Sequence, residues 1–134
     1  MASSDSRDVP VISVSRNEAS AEFFDGTARG ELLVRRCPQC SLVIAPNVPQ
    51  CPDCASIDLT WEPAGGTATL VTWTVVPGPD DTAVVAGIVE LTEGPWLHAR
   101  ILGVAPEDLA EGLALSVGFQ RYGDGEAVPV FHAA

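Results

Sequence analysis

The chain contains no lysine. Its seven basic residues are all arginine, against 18 acidic ones, and the formal net charge is -11. Lysine Schiff-base chemistry is therefore excluded. A polyanion would be repelled overall, because non-specific nucleic-acid binding rests on clustered cations that neutralise phosphates. Nucleic acid is not an expected partner, although aromatic side chains on a barrel can stack bases. Histidine is scarce too, with only His98 and His132. No Gly-x-Ser-x-Gly elbow, P-loop or dinucleotide fingerprint occurs. No apolar run approaches the roughly 18 to 20 residues of a membrane span. Met1 to Pro10 is polar, carries Asp5 and Asp8, and lacks the basic start and apolar stretch of a signal peptide. The expected location is cytoplasmic.

What is present is a chain of 134 residues, 46% of them hydrophobic, with four cysteines. That length suits about one domain with one modest core. The cysteines form two pairs, Cys37-Pro-Gln-Cys40 and Cys51-Pro-Asp-Cys54, separated by ten residues. Two such pairs read as a metal site rather than as two disulfides. Each pair makes a knuckle whose sulfurs face one point, and a hairpin between knuckles closes a tetrahedral four-cysteine site. Four thiolates leave no open coordination position, so the site is structural. A ribbon of about 25 residues cannot bury enough surface to fold alone. Structural zinc supplies about 10 to 16 kcal/mol in small peptides of this type. Zinc is the expected ion; iron in the same cage would give a rubredoxin-like redox centre.

Around the cysteines the pattern is mainly β. Residues 1–14 read as a flexible N-terminal arm. Ser15-Arg-Asn-Glu18 has capping-box spacing and predicts a helix from Arg16 to Ala28, ended by Gly30 in a left-handed turn. Glu31 to Arg36 predicts a strand into the first knuckle, Leu42 to Gln50 a hairpin, and Ile57 to Trp61 an exit strand. Residues 15–62 are thus expected to be a helix plus zinc ribbon. Pro63-Ala-Gly-Gly66 is a break. Beyond it, five β-rich runs are expected: Thr67 to Val76, Ala83 to Leu91, Trp96 to Leu102, Ser116 to Tyr122 and Val128 to His132. Pro77 to Asp81 reads as a turn, and Pro106 to Leu109 as one helical turn. Five strands with a helical turn between the third and fourth fit an OB-type barrel over residues 63–134.

The catalytic inventory is thin. By strand alternation His98 shares a face with Trp96 and Arg100. It reads either as a general base or as a satisfied polar residue on a strand. Asp80-Asp81 and Glu107-Asp108 fall in predicted turns, where solvated acids are common. Phe23, Phe24, Trp73 and Trp96 are candidates either for the chain's own packing or for a partner interface. Arg100 and Arg121 are the available anchors for a diphosphate.

The order of helix, four-cysteine ribbon and barrel resembles one family: the acyl-CoA-associated domain of unknown function thirty-five, a rubredoxin-like zinc ribbon fused to an OB fold. Phe23-Phe24-Asp25-Gly26 is similar to its helix motif, and Gly30 to Cys37 to its run into the first knuckle. Cys51-Pro-Asp-Cys54, Trp61, Gly65-Gly66-Thr67, Val89 to Gly94 and Val117-Gly118 continue the resemblance across residues 18 to 132. The family often has glycine after the second and fourth cysteines; here they are Ser41 and Ala55. Its paired prolines stand apart as Pro46 and Pro49. The resemblance implies a non-catalytic accessory subunit in a hetero-oligomer with a thiolase-like or lipid-transfer-type enzyme, an aldolase or acyltransferase, including steroid side-chain breakdown. In such assemblies the barrel contacts the enzyme and helps shape its CoA channel. The alternative is a stand-alone acyl-CoA or lipid-binding module.

Overall fold

The computed structural model describes residues 14–78 and 83–134. The expected arm (residues 1–13 of it) and the centre of the Pro77 to Asp81 turn lie outside the described residues. Helix α1 spans Ala21–Ala28. Strands β1 (Leu33–Arg36), β2 (Val43–Ile44) and β3 (Thr60–Pro63) form a small sheet in the order β2-β1-β3. Strands β4 (Thr67–Pro77), β5 (Ala83–Leu91), β6 (Trp96–Leu102), β7 (Ala114–Arg121) and β8 (Ala127–Ala133) close into a barrel in the order β4-β5-β6-β8-β7. A 3-10 turn at Pro106–Asp108 sits between β6 and β7. This is the five-stranded OB arrangement expected from the spacing of β-rich runs.

Closure of the barrel depends on β4 and on the seam between β6 and β8. β4 pairs with β5 along its length but with β7 only over Thr67 to Thr69. A register shift between Leu70 and Thr72 bends it so that one strand serves both neighbours. β6 and β8 run parallel and pair only from Arg100 with Val130 to Leu102 with His132. Before those residues the two strands diverge. The core cluster includes Leu70, Val89, Leu91, Ile101, Leu115 and the fully buried Phe131. Leu32 and Val34, in and beside β1, belong to the same cluster. The ribbon is therefore plugged into the barrel by alternate residues of its first strand, while Cys37, Ile44, Cys51 and Leu59 make a separate small core.

The helix begins later than the sequence spacing suggests. The N-cap is Ser20, not Ser15, and it makes no side-chain cap bond; Asn17 and Ser20 instead close the turn ahead of the helix. Ser20 N–H donates to Asn17 Oδ1 and Asn17 N–H to Ser20 Oγ, both at 2.9 Å. The other end matches expectation. Gly30 has φ +78°, Gly30 N–H donates to Thr27 O and Glu31 N–H to Gly26 O. Those two bonds are a Schellman closure. The exit strand is also displaced, since Ile57 is 73% exposed and pairing starts at Thr60. Antiparallel register with β1, which sets Trp61 opposite Arg35, decides where that strand lies.

Gly26 explains a motif that the sequence alone left unassigned. It lies in the last turn of α1 against β1, where a Cβ would fall 2.5 Å from Leu33 Cγ and 3.2 Å from Glu31 O. Gly26→Ala should therefore destabilise the protein by about 1–3 kcal/mol in chemical denaturation, although alanine favours an isolated helix by about 1 kcal/mol. The segment before α1 is held to the barrel by charge. Arg16 Nε donates to Glu126 Oε2 at 2.7 Å and Nη1 to Asp25 Oδ1 at 2.6 Å, while Glu126 N–H donates to Val14 O at 2.7 Å. The hydrogen bond from Arg16 holds the Glu126 carboxyl below the usual carboxylate range. A depressed folded value stabilises above the unfolded value, roughly pH 4.3, and the effect is lost as pH falls through the folded value. Amide exchange in α1 should accordingly rise below about pH 4, before that of β5, and Glu126→Gln should remove this difference in onset.

Candidate metal centre and the adjoining groove

The sulfur atoms of Cys37, Cys40, Cys51 and Cys54 all lie within 4.8 Å of one another. Cys37 and Cys54 approach to 3.4 Å, Cys40 and Cys51 to 3.5 Å. Four sulfurs at about 2.3 Å from one ion in a tetrahedron are about 3.8 Å apart, so the cluster fits a single metal ion. Cys37 and Cys51 are buried, Cys40 and Cys54 exposed. The ligand set contains no position for water or substrate beyond the four thiols.

The two knuckles are built alike. Ser41 N–H donates to Cys37 O at 2.8 Å and Ala55 N–H to Cys51 O at 2.9 Å. Cys37 N–H donates to Leu42 O and Cys51 N–H to Ser56 O, each at 2.9 Å. Ser41 and Ala55 both adopt left-handed backbone, with φ +65° and +64°. The residue before each knuckle reaches across it. Arg36 Nη1 donates to Ser41 O at 2.8 Å, and Gln50 Nε2 to Ala55 O at 3.0 Å. Arg36 also grips Glu62 on β3 through two bonds of 2.7 and 2.9 Å. One knuckle is thus tied to the small sheet through a half-buried ion pair.

Crowding sets the thiol chemistry. Burial pushes the Cys37 thiol up, but N–H groups of Cys40 and Gln39 and the neighbouring Cys54 and Cys40 side chains bring it down to about 7. For Cys40 the N–H of Leu42 favours the thiolate; Cys51, burial, Cys37 and Cys54 outweigh it and push the group to about 12. Cys54 is raised in the same way, with Ser56 N–H opposing Cys37, burial and Cys51. One thiolate forms readily, and its presence discourages the next. A cation among the sulfurs would reverse this repulsion.

A groove of about 690 Å³ runs between α1, the tip of the ribbon hairpin and the diverging strands β6 and β8. It brings Phe23 and Phe24 of α1 together with Trp96, His98 and Arg100 of β6, two segments far apart in the sequence. Phe24 is buried by its own chain, and Phe23 packs edge-on against it at 5.2 Å and against Trp61 at 6.4 Å. Trp96 is 55% exposed at the groove. Arg100 lies over the Tyr122 ring at 5.0 Å. Trp73 and Arg121 are not in the groove. Trp73 pairs with Gly87 and packs on the barrel core, and Arg121 donates to Gly125 O at 2.6 Å. Glu107 and Asp108 are exposed in the 3-10 turn; Asp80 and Asp81 lie outside the described residues. Arg35, which no motif marked, lines the groove and stacks over Trp61 at 4.6 Å. Its signal was the register of β1 on β3, which spacing does not reveal.

Left-handed backbone costs an L-residue about 1–2 kcal/mol relative to the right-handed form. Ala55→Gly should therefore raise the unfolding free energy by about 0.5–1 kcal/mol, after the added freedom of glycine in the unfolded chain. Denaturant melts of the single variant test this. An unchanged or lower midpoint would show that the knuckle does not hold Ala55 under strain.

Comparison with known proteins agrees with this architecture. Residues 61–120 match the family model described as the C-terminal OB-fold domain of ChsH2. Over 122 residues the chain is 30% identical to a "Probable enoyl-CoA hydratase alpha subunit" of Thermomonospora curvata, matching 88% of this chain and 38% of that one. Over 80 residues it is 29% identical to a "DUF35 domain-containing scaffold protein" of Pyrococcus furiosus, 56% of this chain and 59% of the relative. The chain therefore spans less than two thirds of either relative's length. The solved structure of an Ltp2-ChsH2(DUF35) aldolase superposes with a TM-score of 0.77 at 29% identity, covering 88% of this chain and 96% of that one. No helix among the described residues is long and apolar enough to cross a membrane. The cysteine cluster, the closed barrel and these matches together make the chain similar to the DUF35 family of OB-fold proteins.

Proposed function

We propose that this chain is a non-catalytic, zinc-binding accessory subunit of a thiolase-fold acyl-CoA enzyme, an aldolase or acyltransferase. The observation that carries the reading is the likeness to the Ltp2-ChsH2(DUF35) aldolase, which runs through both ribbon and barrel. The hydratase alpha subunit and the scaffold protein among the relatives support a role beside another polypeptide. Cys37, Cys40, Cys51 and Cys54 would hold the zinc, and a closed four-sulfur site supplies folding energy rather than chemistry. The reacting groups would then belong to the partner. Steroid side-chain breakdown is the pathway class we favour, and the cytoplasm, where thiols stay reduced, the location. A stand-alone acyl-CoA or lipid-binding module is the second reading, which the size and apolar lining of the groove favour.

Metal analysis of purified protein should find about one zinc per chain and no visible absorption. Removing it with a strong chelator should unfold the ribbon and release Trp61 to solvent, read as a shift in tryptophan emission. Stoichiometric iron with a red colour would replace the structural role by a redox one. For the partner, tagged protein should recover a thiolase-fold subunit in defined ratio from its native host, identified by mass spectrometry. Recovery of the chain alone, with acyl-CoA binding of its own, would favour the second reading.

A further inference from the structure

The groove beside the ribbon differs electrically from the rest of the molecule. The chain carries -11 overall, yet none of the residues lining the groove is aspartate or glutamate. Two arginines line it, and among the described residues neither meets a carboxylate. By contrast Arg16, Arg29 and Arg36 are each paired with an acid. The two groove guanidiniums instead lie on aromatic faces, Arg35 on Trp61 and Arg100 on Tyr122. Stacking of that kind orients a planar guanidinium while leaving edge donors for a planar anion. His98 lines the same groove beside Arg100.

The floor of the groove has a matching property. β6 pairs with β5 from Trp96 onward but with β8 only from Arg100. β8 pairs with β7 from Ala127, so its first residues also lack a partner on the β6 side. One of them, Pro129, has no N–H to offer. Among the described residues the outer edge of β6 from Trp96 to Ala99 is consequently a short open strand edge, which an extended chain can pair with. Trp96 stands exposed on that edge, and depletion of acids around an aromatic is the composition of an interface centre.

We propose that this groove receives an extended segment of the partner subunit bearing a carboxylate flanked by apolar residues. The carboxylate takes Arg100 and Arg35, and the flanking apolar side chains cover Trp96 and Phe23. The inference rests on the accessory-subunit reading above and adds the chemistry of the segment that docks. Charge complementarity selects the occupant: a second copy of this chain would bring another -11 to the same face.

The test is reconstitution of the complex with the captured partner subunit, followed by titration calorimetry of wild type, Arg100→Glu, Trp96→Ser and Arg29→Glu. Arg29 lies outside the groove and pairs with Glu31, so its reversal makes the same change in net charge. Both groove variants should weaken partner binding by about tenfold or more, as buried interface arginine and tryptophan do. Arg29→Glu should bind within about threefold of wild type, as expected for a rim charge. Circular dichroism melts of each variant confirm that the fold is kept. If all four proteins bind alike, the groove is not the docking site, although the subunit reading stands. Equal loss in Arg29→Glu would assign the effect to net charge and overturn the inference. Unchanged partner binding with lost affinity for an acyl-CoA probe would give the groove to a small anion instead. Failure of wild type to bind removes the subunit reading and this inference with it.

Discussion

Four thiols held within 4.8 Å of one another are unstable as neighbours once they ionise. At Cys40 the Leu42 N–H is outweighed by the Cys51 side chain, burial, Cys37 and Cys54, which push the thiol up to about 12. At Cys37 burial is outweighed by the N–H groups of Cys40 and Gln39 and the Cys54 and Cys40 side chains, which bring the thiol down to about 7. A cation at the centre removes that conflict and fixes both knuckles at once. The remainder of the ribbon is arranged around this condition. Its hydrophobic contribution is slight, with Ile44 and Leu59 joining two of the cysteines themselves. The backbone is bent into left-handed geometry at Ser41 and Ala55, and Arg36 and Gln50 hold the two carbonyls that this bend turns outward.

The ribbon in turn positions everything that faces the groove. β1 carries Leu32 and Val34 into the barrel cluster, presents Arg35 on another side, and leads directly into Cys37. A single strand therefore couples the metal cluster, the core and the groove. The hairpin tip with Pro46 and Pro49 forms one wall, and α1 forms another. Loss of the cluster would act on the hairpin wall of the groove directly and on the barrel only through Leu32 and Val34. This is a physical route by which a structural metal can govern recognition.

The barrel supplies the remaining surface through its incomplete seam. β6 and β8 run parallel, with β7 between them in the chain, and meet only over three residue pairs. The gap is covered in part by the segment from Val14 to Ala28, fastened by Arg16 to Glu126. Arginine is used here in three ways: to fasten, to brace a knuckle, and to stack on a ring. With no lysine in the chain, each cationic position is a planar fork able to do so.

The four-cysteine cluster and the fold class were legible in the sequence because both are local. Two Cys-x-x-Cys pairs announce their own geometry, and β-rich runs broken by Gly, Pro and Asp gave β5 and β6 to the residue. The glycine departures at Ser41 and Ala55 were visible too, although the left-handed backbone behind them was not. Helix start and exit strand were misplaced for contextual reasons: Asn17 and Ser20 close a turn ahead of α1, and β3 begins where register with β1 allows. Of the groove, only the shared face of Trp96, His98 and Arg100 was legible. Arg35 and Trp61 lie 26 positions apart, Arg100 and Tyr122 22, and no periodicity links either pair. Only strand register and the divergence of β6 from β8 bring them to one face. The sequence by itself determined which residues can hold a metal and which segments are strands. Tertiary structure alone decided which charges remain unpaired and where they point, because pairing across strands is a property of topology rather than of spacing.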